Sequence, residues 1–222
     1  HLRPGVPKLC AAVPWCAVER QEGRREILHH YPKLQILNLT RLEALDRVII
    51  RERSTGCKNC KYVVLAPDGQ ELLYATEDSG IVSKLLAGQS RALEIDLLDT
   101  KQRVVIKLRR PYAVGGDKME VSVRGAAAAV VRREATLLKP VLRVTDARDE
   151  TLLRVKGPVS ISSNCDFHLY SGSKQRVGVI RKLWSGSGDH DNFIIVFPPT
   201  ATLHTKAAIV ATALLIDFLF YQ

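Results

Sequence analysis

The segment that most restricts the fold is the last one. Residues 206–222 read KAAIVATALLIDFLFYQ. They are rich in Ala and Leu and too long for an ordinary strand, so a helix is predicted there. That helix is apolar on nearly every face, and such a helix is buried in protein or in lipid. From Ala207 to Tyr221 it would be roughly 22 Å long. A hydrocarbon core is about 30 Å thick and takes about 20 apolar residues to cross. Asp217 lies inside the run, where a carboxylate at a span's centre costs about 2.5–3.5 kcal/mol. His204 and Lys206 stop the apolar run from extending backwards. Length and charge both favour a helix enclosed by protein.

The material to enclose it lies upstream. Four stretches repeat one plan: KYVVLAPDGQELLYATED (61–78), RALEIDLLDTKQRVVIKLRRP (91–111), PVLRVTDARDETLLRVKGP (140–158) and DFHLYSGSKQRVGVIRKLW (166–184). Each places β-branched or alternating residues on either side of a turn-forming cluster. The predicted turns are Pro67-Asp68-Gly69, Asp99-Thr100-Lys101, Asp146 to Asp149 and Ser171-Gly172-Ser173. Met119 to Val123, Ala127 to Val131 and Phe193 to Phe197 are further strand candidates, the last closed by Pro198-Pro199. Leu42, Leu45, Val48 and Ile49 have the spacing of a short helix, or of a helix running into a strand. Hairpins in series predict an antiparallel sheet that must close or fold over to hide its edges. The expected fold is therefore all-β with one hydrophobic C-terminal helix. A closed barrel around that helix would explain why it has no polar face.

Residues 1–36 read as a flexible N-terminal tail, broken by Pro4, Pro7 and Pro14, with the folded domain over 37–222. The chain starts at His1 and shows no signal-peptide pattern there. Of the residues, 46% are hydrophobic and 25% charged, which excludes a mostly disordered chain. No series of long apolar runs suggests a multi-span membrane protein. The 33 Lys and Arg against 23 Asp and Glu give a net charge of +10. Anionic partners fit that balance: phospholipid headgroups, nucleic acid or an acidic protein. Aromatic residues do not interleave the basic pairs, which argues against base stacking and hence against nucleic acid. Five scattered cysteines, an odd number, fit a reducing compartment. There is no GxSxG, HExxH or phosphate loop, so covalent chemistry is not expected.

Several motifs resemble those of one family. Val177-Gly178-Val179-Ile180-Arg181-Lys182-Leu183-Trp184-Ser185-Gly186 is followed by Asp189-His190-Asp191-Asn192-Phe193, then Phe197-Pro198, Lys206-Ala207 and Leu215-Ile216-Asp217-Phe218. This order is similar to the C-terminal signature of the phospholipid scramblases. Upstream, Leu45-Asp46, Lys61-Tyr62, Ala75-Thr76-Glu77-Asp78, Arg109-Arg110-Pro111 and Gly157-Pro158 match in order, so the resemblance covers about residues 31–222. It implies a tubby-like fold, a closed barrel of about twelve antiparallel strands around a central helix. It also implies calcium-stimulated, bidirectional, non-selective and ATP-independent movement of phospholipids between leaflets. The expected place is the cytoplasmic face of the plasma membrane, with a cytoplasmic or nuclear pool beside it. The helix residues Ala207, Ile216, Asp217 and Phe218 would belong to the membrane or core segment.

By position, the family's calcium loop falls on 189–200, DHDNFIIVFPPT. The resemblance implies Ca²⁺ ligands at Asp189, Asp191, Phe193, Ile195 and Phe197 (the last three by backbone) and Thr200. The family has Asp where Thr200 stands, and Ile194 takes the place of an EF-hand's glycine. Two carboxylates imply weak binding, in the ~10⁻⁴–10⁻³ M range. The alternative is a turn followed by a buried strand. The basic pairs Arg109-Arg110, Arg132-Arg133 and Arg181-Lys182 are candidates for anionic headgroups, at ~1 kcal/mol per charge near a membrane; a solvated basic rim is the other reading. Cys57-Lys58-Asn59-Cys60 lacks the second pair that a zinc site needs. Residues 112–119 lack the cysteines that family members acylate, leaving Cys10 and Cys16 as acylation candidates. A second functional reading is a lipid-docking adaptor or transcriptional cofactor that moves no lipid and works through protein partners.

Overall fold

The computed structural model describes residues 32–52, 60–77, 92–111, 117–183 and 192–221. The chain enters through helix α1 (Pro32–Ala44), with proline at the first helical position, where its missing N–H costs nothing. It then runs into β1 (Arg47–Glu52), β2 (Cys60–Leu65), β3 (Glu71–Glu77) and β4 (Leu93–Leu98). Next come β5 (Val104–Arg110), β6 (Lys118–Val123), β7 (Ala126–Glu134) and β8 (Val141–Asp146). β9 (Thr151–Lys156), β10 (Cys165–Tyr170), β11 (Arg176–Leu183) and β12 (Asn192–Val196) complete the strands, and α2 (Leu203–Phe220) ends the chain.

Each strand pairs antiparallel with its sequence neighbours, and β12 pairs with β1, so the meander closes into a barrel. Closure leaves no strand edge unpaired. This is the twelve-stranded barrel around a helix that the resemblance implies. Alternation fills the interior: Leu93, Ile95 and Leu97 of β4 and Met119, Val121 and Val123 of β6 point inward. α2 is buried from Lys206 to Leu219 and packs against β6, β7, β8 and β12. Among the described residues it is the one helix long and apolar enough to cross a membrane, and most of it lies inside the barrel. It begins three residues before the predicted start because Thr202 caps it, accepting from the Thr205 N–H at 3.3 Å.

All long connections leave one end of the barrel and all short ones the other, as an up-and-down meander permits. The turn end carries residues 66–70, 99–103, 124–125, 147–150 and 171–175. Four of these share one build. Asp99 N–H donates to Arg103 C=O and Gln102 N–H returns to Asp99 C=O; Ala66, Asp146 and Ser171 head the same pattern. The residue two positions before the closing strand has positive φ in each: Gly69, Gln102, Asp149 and Lys174. The predicted turns are all found. Arg124-Gly125, both at positive φ, makes the two-residue turn between β6 and β7.

α1 lies against this end. Leu39 and Leu42 enter the core, Asn38 donates to Thr100 at 3.0 Å, and Arg41 pairs with Asp68 at 2.6 Å. The predicted helix running into a strand is present and starts at Pro32, inside what was expected to be tail; residues 1–31 lie outside the described ones.

Candidate functional site

Successive residues of a strand point to opposite faces, so both members of a dibasic pair cannot face the same side. Arg109, Arg132 and Arg181 point outward, and each meets a carboxylate on a neighbouring connection or strand. Arg109 lies 3.4 Å from Glu94, Arg132 lies 2.7 Å from Asp149, and Arg181 grips Asp166 through two bonds of 2.7 and 2.9 Å. The Arg181 guanidinium holds the Asp166 carboxyl below the usual carboxylate range, and Arg132 does the same to Asp149.

Arg110, Arg133 and Lys182 occupy the inward positions, and all three converge on the C-terminal turn of α2. Arg110 and Lys182 are 2% and 1% exposed. Their expected role at a lipid surface is corrected on that ground: a buried cation cannot meet a headgroup. Lys182 Nζ donates to Asp217 Oδ1 at 2.9 Å, and Tyr62 Oη donates to Asp217 Oδ2 at 2.5 Å. The same ammonium lies 4.3 Å from the Phe193 ring centre and 4.8 Å from that of Tyr221. Arg110 pairs with Asp117 at 2.6 Å and stacks on Phe218 at 4.8 Å. Arg133 reaches the other oxygen of Asp117 at 3.4 Å and covers the Phe220 ring. The last turn of a helix offers unpaired carbonyls and the negative end of its dipole, so cations belong there. α2 has no basic residue in its own last turn, and the strands supply them.

The other end of α2 is held differently. Lys206 Nζ donates to the Glu43 and Leu45 carbonyls at 2.5 and 2.6 Å, closing the C-terminus of α1. Burial pulls the pKa of Lys206 down, with Glu43 and Asp46 opposing.

Phe193, Ile195 and Phe197, three of the implied calcium ligands, are not brought together by their backbone. Asp189 and Asp191 lie outside the described residues. Phe193, Ile195 and Phe197 are core side chains, and β12 is paired on both sides, with β1 and β11. At about 3.3 Å per residue, the backbones of Phe193 and Phe197 stand about 13 Å apart. Oxygens around one Ca²⁺ span about 5 Å. Thr200 sits exposed in the turn before α2. The described part of 189–200 contains the buried strand of the alternative, and the turn expected ahead of it lies outside the described residues. Among the described residues no group of three or more His, Cys, Asp and Glu could hold a metal.

Tyr62, Asp117 and Tyr221 escaped sequence reasoning as partners of this cluster, because their contacts link distant segments. Strand alternation within the basic pairs was the signal that one of each points inward. Tyr221 Oη lies 2.8 Å from Cys165 Sγ and donates to the Ser162 carbonyl at 2.9 Å, fixing the end of the chain to the β9–β10 connection. Cys165 is a free thiol. Cys10, Cys16 and the side chains of Cys57 and Cys60 lie outside the described residues.

Known proteins share this chain's pattern. It is 31% identical to phospholipid scramblase 2 of Bos taurus over 74% of this chain and 62% of that protein. It is 27% identical to phospholipid scramblase 1 of Homo sapiens over 96% of this chain and 71% of that one. The chain thus spans about three fifths of the length of the bovine relative. A solved structure of an Arabidopsis thaliana protein overlaps 79% of this chain and 92% of its own, at TM-score 0.47 and 17% identity. The family model for scramblases matches residues 29–222, from ahead of α1 through the whole barrel to the end of the core helix. A match of that extent, over a barrel whose helix carries the Leu215-Ile216-Asp217-Phe218 motif at its anchored end, makes this chain a member of the scramblase family.

Proposed function

We propose that this protein moves phospholipids between the leaflets of a membrane, in both directions, without headgroup selectivity and without ATP. The family match over residues 29–222 carries the reading. Its geometry suits a protein that works from the membrane surface. α2 is engaged at both ends by buried charges, so the barrel's exterior meets the lipid. Such a surface lowers the barrier to headgroup transit by offering polar groups beside a locally thinned bilayer. Arg109, Arg132 and Arg181 are among the outward cations that would meet anionic headgroups at the cytoplasmic face of the plasma membrane.

Stimulation by Ca²⁺ is the finer part of the proposal. Of the implied ligands, Asp189 and Asp191 carry the carboxylates, and the test reads them directly. The protein is reconstituted in liposomes holding a fluorescent phospholipid, and dithionite measures the protected fraction with Ca²⁺ and with chelator. The expected result is a calcium-dependent loss of protection that disappears in Asp189→Ala with Asp191→Ala. Flip that ignores Ca²⁺ removes the calcium reading alone. No flip above protein-free vesicles overturns intrinsic scrambling. It then favours the second reading, a lipid-docking adaptor, which the outward arginines and the net charge of +10 support.

A further inference from the structure

Most leucines of this barrel are buried or half-buried among the described residues, and two neighbours stand clear of it. Leu137 is 103% exposed and Leu138 76%, at the tip of the β7–β8 connection. Val159, 73% exposed, stands on the adjacent β9–β10 connection. Apolar side chains presented together to solvent mark a contact surface more often than chance.

The tip is held out by construction. Thr136 Oγ1 donates to the Lys139 carbonyl at 2.5 Å, which closes the loop on itself. Gly157 N–H donates to the Pro140 carbonyl at 2.9 Å and ties the two connections together. A Cβ on Gly157 would lie 2.6 Å from Pro140 Cγ, so the two segments touch with no space between them. At the opposite end, the turn tips are Asp68-Gly69, Thr100 to Gln102, Arg124-Gly125, Ala147 to Asp149 and Gly172 to Lys174, none with a large apolar side chain. Val104, 48% exposed at the start of β5, is an exposed large apolar residue on that side of the barrel.

Charge identifies the partner. Lys139 is exposed beside the leucines, and Arg154 and Lys156 take the outward positions at the near end of the flanking strand β9. Glu134 is engaged by Arg154, and Asp117 by Arg110 and Arg133. Apolar tips below a collar of cations match the layering of an anionic bilayer, acyl chains beneath phosphates. A tip of two leucines is far smaller than the ~800 Å² per side of a stable protein interface.

We propose that the β7–β8 and β9–β10 connections dock this protein on anionic phospholipid membranes, with Leu137 and Leu138 entering the acyl boundary and Lys139 meeting the headgroups. This deepens the reading under Proposed function and rests on it for the presence of a membrane. It places the C-terminal end of α2 towards the bilayer and α1 away from it.

The test is sedimentation of the protein with vesicles of phosphatidylcholine alone and with phosphatidylserine added. Leu137→Ser with Leu138→Ser is expected to weaken partition onto the phosphatidylserine vesicles by on the order of tenfold or more. Lys139→Glu is expected to weaken it several-fold, with the effect fading at high salt. Val104→Ser, at the far end, is expected to change nothing. All the sites are exposed, and unchanged melting curves establish that the variants fold. Equal partition of wild type and the leucine variant overturns the docking face. So does failure of the wild type to bind. A dimer in solution that the leucine variant abolishes, without vesicle binding, reassigns the patch to self-association. The flip assay on the same preparations separates the two readings: docking through the leucines without flip retains this inference and removes scrambling.

Discussion

At the turn end, Asp99 and Asp146 fold their own connections. Asp99 Oδ1 accepts from the N–H groups of Lys101 and Arg103, and Asp146 Oδ1 from those of Arg148 and Glu150. At the loop end, Asp217 meets Lys182 and Tyr62, which come from distant strands. The same side chain type is a local turn device in one place and the centre of a buried network in the other. Distance along the chain is the difference: Asp99 and Asp217 are both buried, at 1% and 6%, but the partners of Asp99 lie within four residues. Asp99 meets its partners as soon as its own turn forms. A carboxylate inside a barrel must be matched in full, because desolvation costs several kcal/mol per ion.

The contrast can be broken most forcefully at Asp217. Asp217→Ala leaves the Lys182 ammonium buried without its carboxylate and is expected to cost about 3–5 kcal/mol in urea unfolding. Lys182→Met combined with Asp217→Leu removes both charges and is expected to recover most of that loss. A neutral Asp217→Ala would mean that water reaches this end of the helix.

A smaller effect compares two glycines. Gly157→Ala at the loop end drives a Cβ to within 2.6 Å of Pro140 and 2.7 Å of Phe167, and overpacking costs about 1–3 kcal/mol. Gly125→Ala at the turn end meets no atom within 4 Å, but φ is +79°, so about 1 kcal/mol of backbone strain is expected. Melting of the two variants ranks them; the reverse order would show that the loop end yields more readily than the turns.

The smallest expected effect concerns pH. Burial raises the pKa of Asp99, but hydrogen bonds from Arg103 and from the backbone outweigh it, and the net pKa is lowered. A carboxyl depressed in the folded state contributes stability above its unfolded pKa of about 4. That contribution is lost as pH falls from there through the folded value. Wild type should therefore lose more stability than Asp99→Asn between pH 5 and pH 2. Parallel curves would remove Asp99 from the acid response.

The sequence alone determined the hairpins, their turns and the nature of the last helix. Pro67-Asp68-Gly69 or Asp146 to Asp149 bend the chain by their own geometry, and alternation over six residues specifies a strand wherever it lies. The length of the apolar run predicted from the sequence, with Asp217 inside it, already favoured an enclosing wall of protein. Only the tertiary structure decided which basic residues face water. Arg181 and Lys182 are equivalent in sequence, and register places one on the surface and the other against Asp217. It also decided that Phe193 and Ile195 lie in a strand paired on both sides and that Phe197 joins them in the core. It set Leu137 and Leu138 outside a barrel that covers nearly every other leucine described. Local chemistry is read along the chain because its partners lie within a few residues. Burial, pairing and exposure depend on where the barrel closes, and closure joins β1 to β12 from opposite ends of the sheet's sequence.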